Sequence, residues 1–376
     1  MDYKNDSRIV LTLDAGGTNF VFSAVSGNRE IVDPVIHPSF GKDLNKSLST
    51  IIEGFKQVQE KLDCKPSAIS FAFPGPADYP SGIIGDLLNL PAFKGGVSIG
   101  PMLEEIFEIP VFINNDGNLF VYGEAISGFL PYVNKMLEKG GSRKRFKNLF
   151  GVTLGTGFGG GFVFDGKLLV GDNSCGGEIW LLKHGYEKNK NIEESISIRG
   201  VKNKYSEFAE IGLEKTPEPF EIFRISLGEI EGNRDAAIKT FTYFGKVLGD
   251  ALSSVATMFD SLIVIGGGLS GSSTLFLNKT VEEMNGSFNV DGEEIKKMEI
   301  RAFNLEDKND REMFIKGERK MVDIPFSDKK VVYDPVQRIG IGVSRLGTSR
   351  AVSIGAYSFA LNEIDKKNDR EGNYGA

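Results

Sequence analysis

Apolar residues follow two patterns along the first 128 positions, and together they predict an α/β unit. Short apolar runs are typical of buried strands, whereas stretches with apolar residues every three or four positions are typical of amphipathic helices. The predicted strands cover 9–13, 20–25, 30–37, 68–73 and 111–114, and the predicted helices cover 44–62, 102–107 and a stretch that begins at 119. Strands followed by alternating helices and strands favour an α/β fold.

The same order of strand, glycine-rich turn and strand begins again near residue 148. Predicted strands cover 148–154, 161–164, 167–170 and 261–265, and predicted helices cover 206–213, 217–227, 234–258 and 349–364. Residues 291–330 are dense in charge and alternate briefly, which indicates an exposed strand pair or a flexible loop.

These patterns predict two domains, which the length of 376 residues also favours. The first covers 1–128 and is completed by the C-terminal helix 349–364. The second, larger domain covers 129–348 and includes the charged insertion 291–330. The polar tail, 365–376, is predicted to be disordered.

Composition narrows the function classes. The hydrophobic share of 40% and the charged share of 25% are those of an ordinary globular protein. A formal charge of −7 gives no bulk attraction to nucleic acid. The two cysteines, Cys64 and Cys175, lie far apart, and no apolar run is long enough for a membrane span. We therefore expect a soluble cytoplasmic protein with neither nucleic-acid nor membrane partners.

Glycine-threonine loops follow a predicted strand in each domain. The first is Asp14-Ala15-Gly16-Gly17-Thr18-Asn19, and the second is Gly155-Thr156-Gly157. Glycine lets backbone N–H groups approach an anion closely, and a threonine hydroxyl adds a donor. Either loop alone could be an ordinary turn, but two of them favour phosphates held from two sides.

A third glycine run, Gly266-Gly267-Gly268, follows the predicted strand 261–265. Glycine there would let a flat group such as adenine lie against the backbone. As a motif it is weak, because strands that end in glycine are common in α/β proteins.

Two carboxylates stand directly after or at the end of predicted strands. Asp14 is placed to hold a magnesium ion through water. Asp116 follows strand 111–114 and precedes a helix, where it can accept a proton from a substrate hydroxyl. The alternative is an Asx turn and helix cap, and both hold if Asn118 caps the helix while Asp116 acts as the base.

Taken in order and spacing, these motifs resemble the ROK family of bacterial sugar kinases and related repressors, within the actin-like ATPase group. The resemblance covers roughly residues 8–362. It implies two ribonuclease-H-like domains with an interdomain cleft, use of ATP and Mg²⁺, and a homodimer. The motifs are Asp14-Ala15-Gly16-Gly17-Thr18, Pro74-Gly75-Pro76, Asn115-Asp116-Gly117-Asn118, Leu154 to Gly161 and Ile265-Gly266-Gly267-Gly268.

The resemblance also implies roles for individual residues. Asp116 is similar to the catalytic base of the family. The residues similar to its sugar contacts are Gly75, Asn89, Asn115, Glu178 and Glu193.

The segment after Glu178 departs from the family pattern. Where the family has Ile-Gly-His, this chain has Ile179-Trp180-Leu181, so a histidine that contacts sugar and zinc is missing. The stretch Lys183 to Asn191 also contains no cysteine, so no zinc site is expected. His184 either replaces the lost histidine as a sugar contact or is a solvated loop residue. Trp180 either packs in the core or at a rim, or stacks on the sugar.

The leading hypothesis is an ATP-dependent kinase that phosphorylates a hexose or an N-acetylhexosamine at its primary hydroxyl. One alternative is a degenerate sugar-binding protein without turnover. A second is a sugar-responsive regulator, although only eight residues precede the first predicted strand, which leaves no room for a DNA-binding module.

Overall fold

The computed structural model describes residues 3–373 except Gly17, Pro76, Leu88 and Asn89. The chain forms two compact units. The first contains residues up to Gly128, Gly161–Gly177, and the chain from Leu346 onward, whereas the second contains Phe129–Gly160 and Glu178–Arg345. The segment 161–177, which the sequence placed in the second domain, therefore belongs to the first unit.

Strands and helices alternate through the first 128 residues much as the hydrophobic pattern predicts. The elements are β1 (Val10–Ala15), β2 (Asn19–Ser26), β3 (Arg29–Glu30), β4 (Val35–Pro38), α1 (Leu44–Gln59), β5 (Ala68–Ala72), β6 (Ala77–Asp78), β7 (Ile83–Ile84), β8 (Val97–Ser98), α2 (Ile99–Phe107), β9 (Val111–Asn114) and α3 (Asp116–Ile126).

The rest of the chain contains longer helices and a second sheet. The elements are α4 (Phe129–Lys139), β10 (Leu149–Leu154), β11 (Phe158–Phe164), β12 (Lys167–Leu169), α5 (Ile198–Ala209), α6 (Pro219–Leu227), α7 (Arg234–Phe259), β13 (Leu262–Gly266), α8 (Ser273–Met284), β14 (Ser287–Val290), β15 (Glu293–Lys296), β16 (Arg301–Asn304), α9 (Lys308–Lys316), β17 (Lys320–Asp323), β18 (Lys330–Tyr333), β19 (Arg338–Val343) and α10 (Thr348–Asn373).

The sheet of the first unit has the order β3-β2-β1-β5-β9, and β4 also pairs with β2. The β1–β2 hairpin is antiparallel, whereas β1, β5 and β9 run parallel to one another. Helix α1 packs its apolar stripe of Ile51, Phe55 and Val58 into the core below this sheet. Phe22 and Phe55 meet edge to face there, with ring centroids 5.2 Å apart.

Helices α3 and α10 pack unusually closely in the first unit, because glycines stand at their contacts. A Cβ on Gly355 would fall on the carbonyl oxygen of Leu119, and a Cβ on Gly123 would fall on that of Ala351. No side chain larger than hydrogen fits at either position without moving one helix. The C-terminal helix thus completes the first unit through backbone contact.

The second sheet has the order β12-β11-β10-β13-β19-β16. Strands β10, β13, β19 and β16 are parallel neighbours, whereas β11 and β12 are antiparallel. Helices α7 and α8 pack on one another in the second unit, with Phe244 and Phe276 in contact at 5.1 Å between ring centroids. Two hairpins, β14–β15 and β17–β18, form small sheets of their own.

The structure corrects several predicted elements. A helix expected at 206–213 lies at Ile198–Ala209, because the Ser197 side chain caps it at Gly200 N. Helix α4 was missed, although Pro131 in its first turn is compatible with a helix. The charged insertion is neither a flexible loop nor a single strand pair, since it contains β16, α9 and parts of both hairpins. Helix α10 continues to Asn373, so the tail predicted to be disordered is helical over 365–373.

Across the described ranges, no helix is both long enough and apolar enough to cross a membrane.

Replacing Gly355 by alanine should destabilise the first unit by roughly 1–3 kcal/mol, since the new methyl group must separate α3 from α10. Guanidinium unfolding measures the change. Gly271→Ala is the matched control, because no atom of the described residues lies within 4 Å of its added Cβ. Equal unfolding midpoints for the two variants would show that the close helix contact does not limit stability.

Candidate active site

The parallel strands of the first unit bring four predicted site residues to one edge of the sheet. Asp14 stands opposite Ala72 in the β1–β5 register, and Ala72 stands opposite Asn114 in the β5–β9 register. The chain segments that leave these strands carry Gly75 after β5, and Asn115 and Asp116 after β9. The carboxyl edge of a parallel sheet is where α/β proteins commonly bind ligands.

Asp116 is the first residue of α3, and its side chain is exposed. Asn115 caps the helix, because its side-chain oxygen accepts a hydrogen bond of 2.8 Å from Gly117 N. This corrects the expectation that Asn118 is the cap. Asn118 is instead buried, and its amide donates to Asn114 Oδ1 at 3.0 Å. The carboxylate of Asp116 is thus presented at the helix N-terminus.

Asp14 lies at the end of β1 beside the first glycine loop. Although its side chain reaches solvent, the protein atoms around it partly desolvate the carboxylate and raise its pKa, while a hydrogen bond with Ser349 lowers it. Ser349 stands in the first turn of α10 and was not identified from the sequence. A cation beside Asp14 would stabilise the ionised form.

In the first glycine loop, Thr18 and Asn19 are exposed, and the Thr18 carbonyl accepts a hydrogen bond of 2.9 Å from Ser39 N, which ties the loop to the residue directly after β4. Gly16 approaches the Asn19 carbonyl so closely that an added Cβ would lie 2.9 Å from its oxygen. Gly17, the fourth predicted member, lies outside the described residues.

Gly75 follows β5 in a turn held by Tyr79, whose hydroxyl donates to the Phe73 carbonyl at 3.0 Å. A Cβ on Gly75 would lie 3.1 Å from that hydroxyl, so the position is tight as well as exposed. Asn89, another predicted sugar contact, lies outside the described residues.

In the second unit, the loop Gly155-Thr156-Gly157 joins β10 to β11. Thr156 is exposed, and an added Cβ on Gly155 would meet open space. Glu193 supports the other side of the loop: its Oε2 accepts a hydrogen bond of 2.9 Å from Phe158 N. An added Cβ on Gly157 would lie 2.7 Å from the same oxygen. Glu193 was predicted as a sugar contact. In the structure, its Oε2 is hydrogen-bonded to the backbone of this loop.

The glycine run after β13 lies next to this loop, because β10 and β13 are parallel neighbours with Thr153 opposite Gly266. Gly267 has a φ of 85°, and an added Cβ would collide with the backbone of Leu154. Gly268 faces open space. The close approach therefore requires glycine at 267, and the open side at 268 leaves backbone accessible to a flat ligand.

Glu178 and Trp180 are hydrogen-bonded to each other. The indole Nε1–H donates to Glu178 Oε2 across the short helical turn Ile179–Leu181. Glu178 is exposed, and Trp180 is half-buried. The indole thus orients the Glu178 carboxylate, a role that the sequence did not indicate.

His184 is buried, with 2% of its surface exposed, so the expectation of a solvated loop histidine was wrong. Its Nδ1 accepts hydrogen bonds from the backbone N–H groups of Tyr186 and Glu187 at 3.1 and 2.9 Å. Its Nε2 therefore carries the proton and donates to Ser195 Oγ at 2.9 Å. Both ring nitrogens are engaged inside the second unit.

The segment from Leu182 to Ile192 is closed by hydrogen bonds. His184 N donates to Lys190 O at 3.1 Å, and Ile192 N donates to Leu182 O at 2.9 Å. Glu187 bonds to Lys190 and to the Tyr243 hydroxyl, and these two contacts lower the pKa of Glu187 to about 2. In the part of the chain that the structure describes, no three His, Cys, Asp or Glu side chains are grouped closely enough to hold a metal ion.

Comparison with known proteins agrees with these motifs, since residues 10–311 match the ROK family. This chain belongs to the ROK family. A crystal structure of a glucokinase from Parabacteroides distasonis superposes with a TM-score of 0.87 at 52% identity, covering 96% of this chain and 99% of that one. An N-acetyl-D-glucosamine kinase from Photobacterium profundum is 28% identical over 282 residues, which is 70% of this chain and 85% of that protein.

A more distant structure shows the same fold. A ROK hexokinase from Thermus thermophilus has a TM-score of 0.66 at 20% identity, covering 95% of this ROK protein and 99% of the hexokinase. The α/β fold is therefore the actin-like ATPase fold that the resemblance implied. Within it, Asp14, Gly75, Asn115 and Asp116 share one sheet edge in the first unit, and the second glycine loop and Gly266–Gly268 share another in the second unit.

Acidification below about pH 6.5 should destabilise the second unit through His184. Burial lowers the pKa of His184, with opposing effects from Glu187 and Asp250 and further lowering from Lys190 and Lys204. The unfolded chain then binds more protons than the folded one, so stability falls as the pH drops through the window between the unfolded and folded values.

His184→Asn should remove this part of the pH dependence, because the Asn oxygen can accept the same backbone hydrogen bonds without titrating. Guanidinium unfolding at a series of pH values measures the effect, and His37→Asn, which removes the other histidine, is the control. If wild type and His184→Asn lose stability in parallel, His184 does not cause the dependence.

Proposed function

We propose that this ROK protein is an ATP-dependent kinase that transfers the γ-phosphoryl group to the primary hydroxyl of a hexose or an N-acetylhexosamine. The observation that carries the proposal is the shared edge of β1, β5 and β9, where two carboxylates flank a glycine turn. Each unit also has a glycine-threonine loop of the kind that accepts phosphate.

We assign Asp116 the role of accepting the proton of the sugar hydroxyl. As the sugar hydroxyl oxygen attacks the γ-phosphorus, its proton passes to the exposed carboxylate, and the bond between the γ-phosphorus and the bridging oxygen of ADP breaks. The helix cap made by Asn115 fixes where α3 begins and so where Asp116 stands.

The phosphate chain of ATP is assigned to the two glycine-threonine loops. Gly16, Gly17, Thr18 and Asn19 offer donors from the first unit, and Gly155, Thr156 and Gly157 offer them from the second. Gly266–Gly268 is assigned to the adenosine. Most of these donors are backbone N–H groups, which need no rearrangement when charge develops on the phosphates.

Magnesium fits the residues at the end of β1. Asp14 offers a carboxylate oxygen, which hard divalent cations prefer, and burial raises the pKa of this carboxylate, so a bound cation would favour its ionised form. When bound, Mg²⁺ would neutralise charge on the phosphates of ATP. Asp14 would hold it through water.

The sugar is assigned to Glu178, with Gly75, Asn89 and Asn115 on the acceptor side. Trp180 orients Glu178 through its hydrogen bond and so serves as a positioning residue. Because one oxygen of Glu193 is bound to the second phosphate loop, we assign Glu193 chiefly to holding that loop. We assign no sugar contact to His184.

Glucose is the first acceptor to test, since the chain is 52% identical to a protein described as a glucokinase. The 28% likeness to an N-acetylglucosamine kinase makes that sugar the second. A panel that includes mannose, fructose and N-acetylmannosamine, followed by ADP release, ranks the acceptors. If no sugar raises ADP release above background, the protein is a sugar-binding member without turnover, and thermal shifts with sugars identify its ligand.

We also propose a cytoplasmic homodimer that uses Mg²⁺. The hairpins β14–β15 and β17–β18 of the second unit support the dimer, because they expose apolar side chains such as Phe288, Ile295 and Phe326. Sedimentation equilibrium measures the assembly state.

Asp116→Ala should lower kcat by about 10²–10⁴-fold, because it removes the proton acceptor. The coupled ADP assay with the best sugar measures the loss, and circular dichroism checks the fold. Asp235→Ala is the matched control, since Asp235 is also an exposed aspartate in the first turn of a helix. Near wild-type turnover by Asp116→Ala would exclude Asp116 as the base.

Trp180→Phe should raise the KM for the sugar by about tenfold and leave the KM for ATP unchanged, since a hydrogen bond to a charged group stabilises by roughly 1.5–3 kcal/mol. Leu181→Ala, a change at the exposed neighbour, is the control. An unchanged sugar KM for Trp180→Phe would show that the indole does not orient Glu178 for binding.

A further inference from the structure

A cavity of about 420 Å³ opens in the second unit, apart from every residue assigned to the kinase reaction. The loop after α4 forms one wall, and the chain before β17 and before β19 forms the others. Among the described residues that line it, Arg143, Lys144, Arg319 and Arg338 are basic, and Asp334 is acidic. Such an excess of positive charge in a concave site attracts anions.

Arg338 is the buried anchor of this cavity, with 1% of its surface exposed. Its Nε donates to Phe314 O at 2.6 Å, and its Nη1 donates to Asp334 Oδ2 at 2.8 Å and to Val336 O at 2.9 Å. Its Nη2 has no hydrogen-bond partner among the residues that the structure describes. A buried charged donor without a partner is rare in native proteins and indicates a missing acceptor.

Asp334 offsets at most one of the four positive charges, and its carboxylate is bound to Arg338. Burial alone would raise its pKa, but hydrogen bonds from Arg338 and from the backbone N–H groups of Glu318 and Val336 hold the pKa below its ordinary value. The carboxylate is therefore ionised and already bound to Arg338.

Arg319 and Lys144 add positive charge from two further directions. Backbone carbonyls hold Arg319 in place, since it donates to Gly141 O at 2.7 Å and to Lys316 O at 3.1 Å. Carbonyl oxygens orient a guanidinium without cancelling its charge. Burial and the charge of Arg338 lower the pKa of Lys144, while Asp260 and Asp334 act in the opposite sense. A bound anion would relieve this repulsion.

We propose that this cavity binds the phosphate group of a small phosphorylated molecule. Phosphate is favoured over a carboxylate because it can carry two negative charges and accept hydrogen bonds from several guanidinium and ammonium groups at once. The volume lies within the range of small-molecule sites and exceeds what a lone phosphate fills. Val332 and Val336 offer apolar surface to the carbon skeleton.

The proposal does not depend on the kinase assignment, and its test contains neither nucleotide nor free sugar. Isothermal titration calorimetry on the full chain uses inorganic phosphate and glucose 6-phosphate as probes. The double variant Lys144→Gln/Arg319→Gln should bind the better probe about tenfold or more weakly than wild type. Lys239→Gln, at an exposed lysine of α7, is the matched control and should bind as wild type does.

Arg338→Met tests the buried anchor and should also weaken binding, with circular dichroism to check its fold. The double variant changes only partly buried or exposed side chains, so the test holds even if Arg338→Met does not fold. Tighter binding of glucose 6-phosphate than of phosphate supports an ester ligand, whereas equal binding supports free phosphate as the source. Equal affinities in wild type and the double variant, or no binding of either probe to wild type, would overturn the proposal.

Discussion

The parallel ladder of β1, β5 and β9 is the constraint on which the first unit's site depends. Its hydrogen bonds fix Asp14 against Ala72 and Ala72 against Asn114, so three chain segments leave the sheet at the same edge. No side-chain contact between Asp14 and Asp116 is needed to set their placement. A site built in this way can carry exposed carboxylates, because the core beneath it supplies the stability.

The segment after Glu178 is kept in place by hydrogen bonds of its own side chains. Buried His184 accepts two backbone hydrogen bonds, and Glu187 connects Lys190 with Tyr243. Each bond is weak alone, but together they satisfy the polar groups of a turn that would otherwise stay solvated. Protonation of His184 would disrupt this network, because the ring must remain neutral for its Nδ1 to accept the two backbone hydrogen bonds.

Sequence patterns predicted the two α/β regions. They also predicted that the glycine loops, Asp14 and Asp116 lie at or after strand ends, because these features depend on periodicity and on local chemistry. They failed where tertiary contacts decide. Nothing local indicates that Asn115 rather than Asn118 caps α3, that Trp180 bonds to Glu178, or that Ser349 of the last helix reaches Asp14. The helix of residues 365–373 was missed because its polar composition resembles a disordered tail.

The sequence alone does not distinguish glycines that permit close packing in the scaffold from glycines that leave backbone open at the site. At Gly355 and Gly123 the missing side chain permits helix contact, whereas at Gly155 and Gly268 it leaves backbone open to solvent. Both kinds follow apolar stretches and look alike in composition. The space around an added Cβ distinguishes them. Where the Cβ would collide with other atoms, the glycine permits close packing. Where the Cβ would meet open space beside a strand end, the backbone is open to a ligand. By this criterion Gly267 packs and Gly268 is open, so one three-residue run serves both purposes.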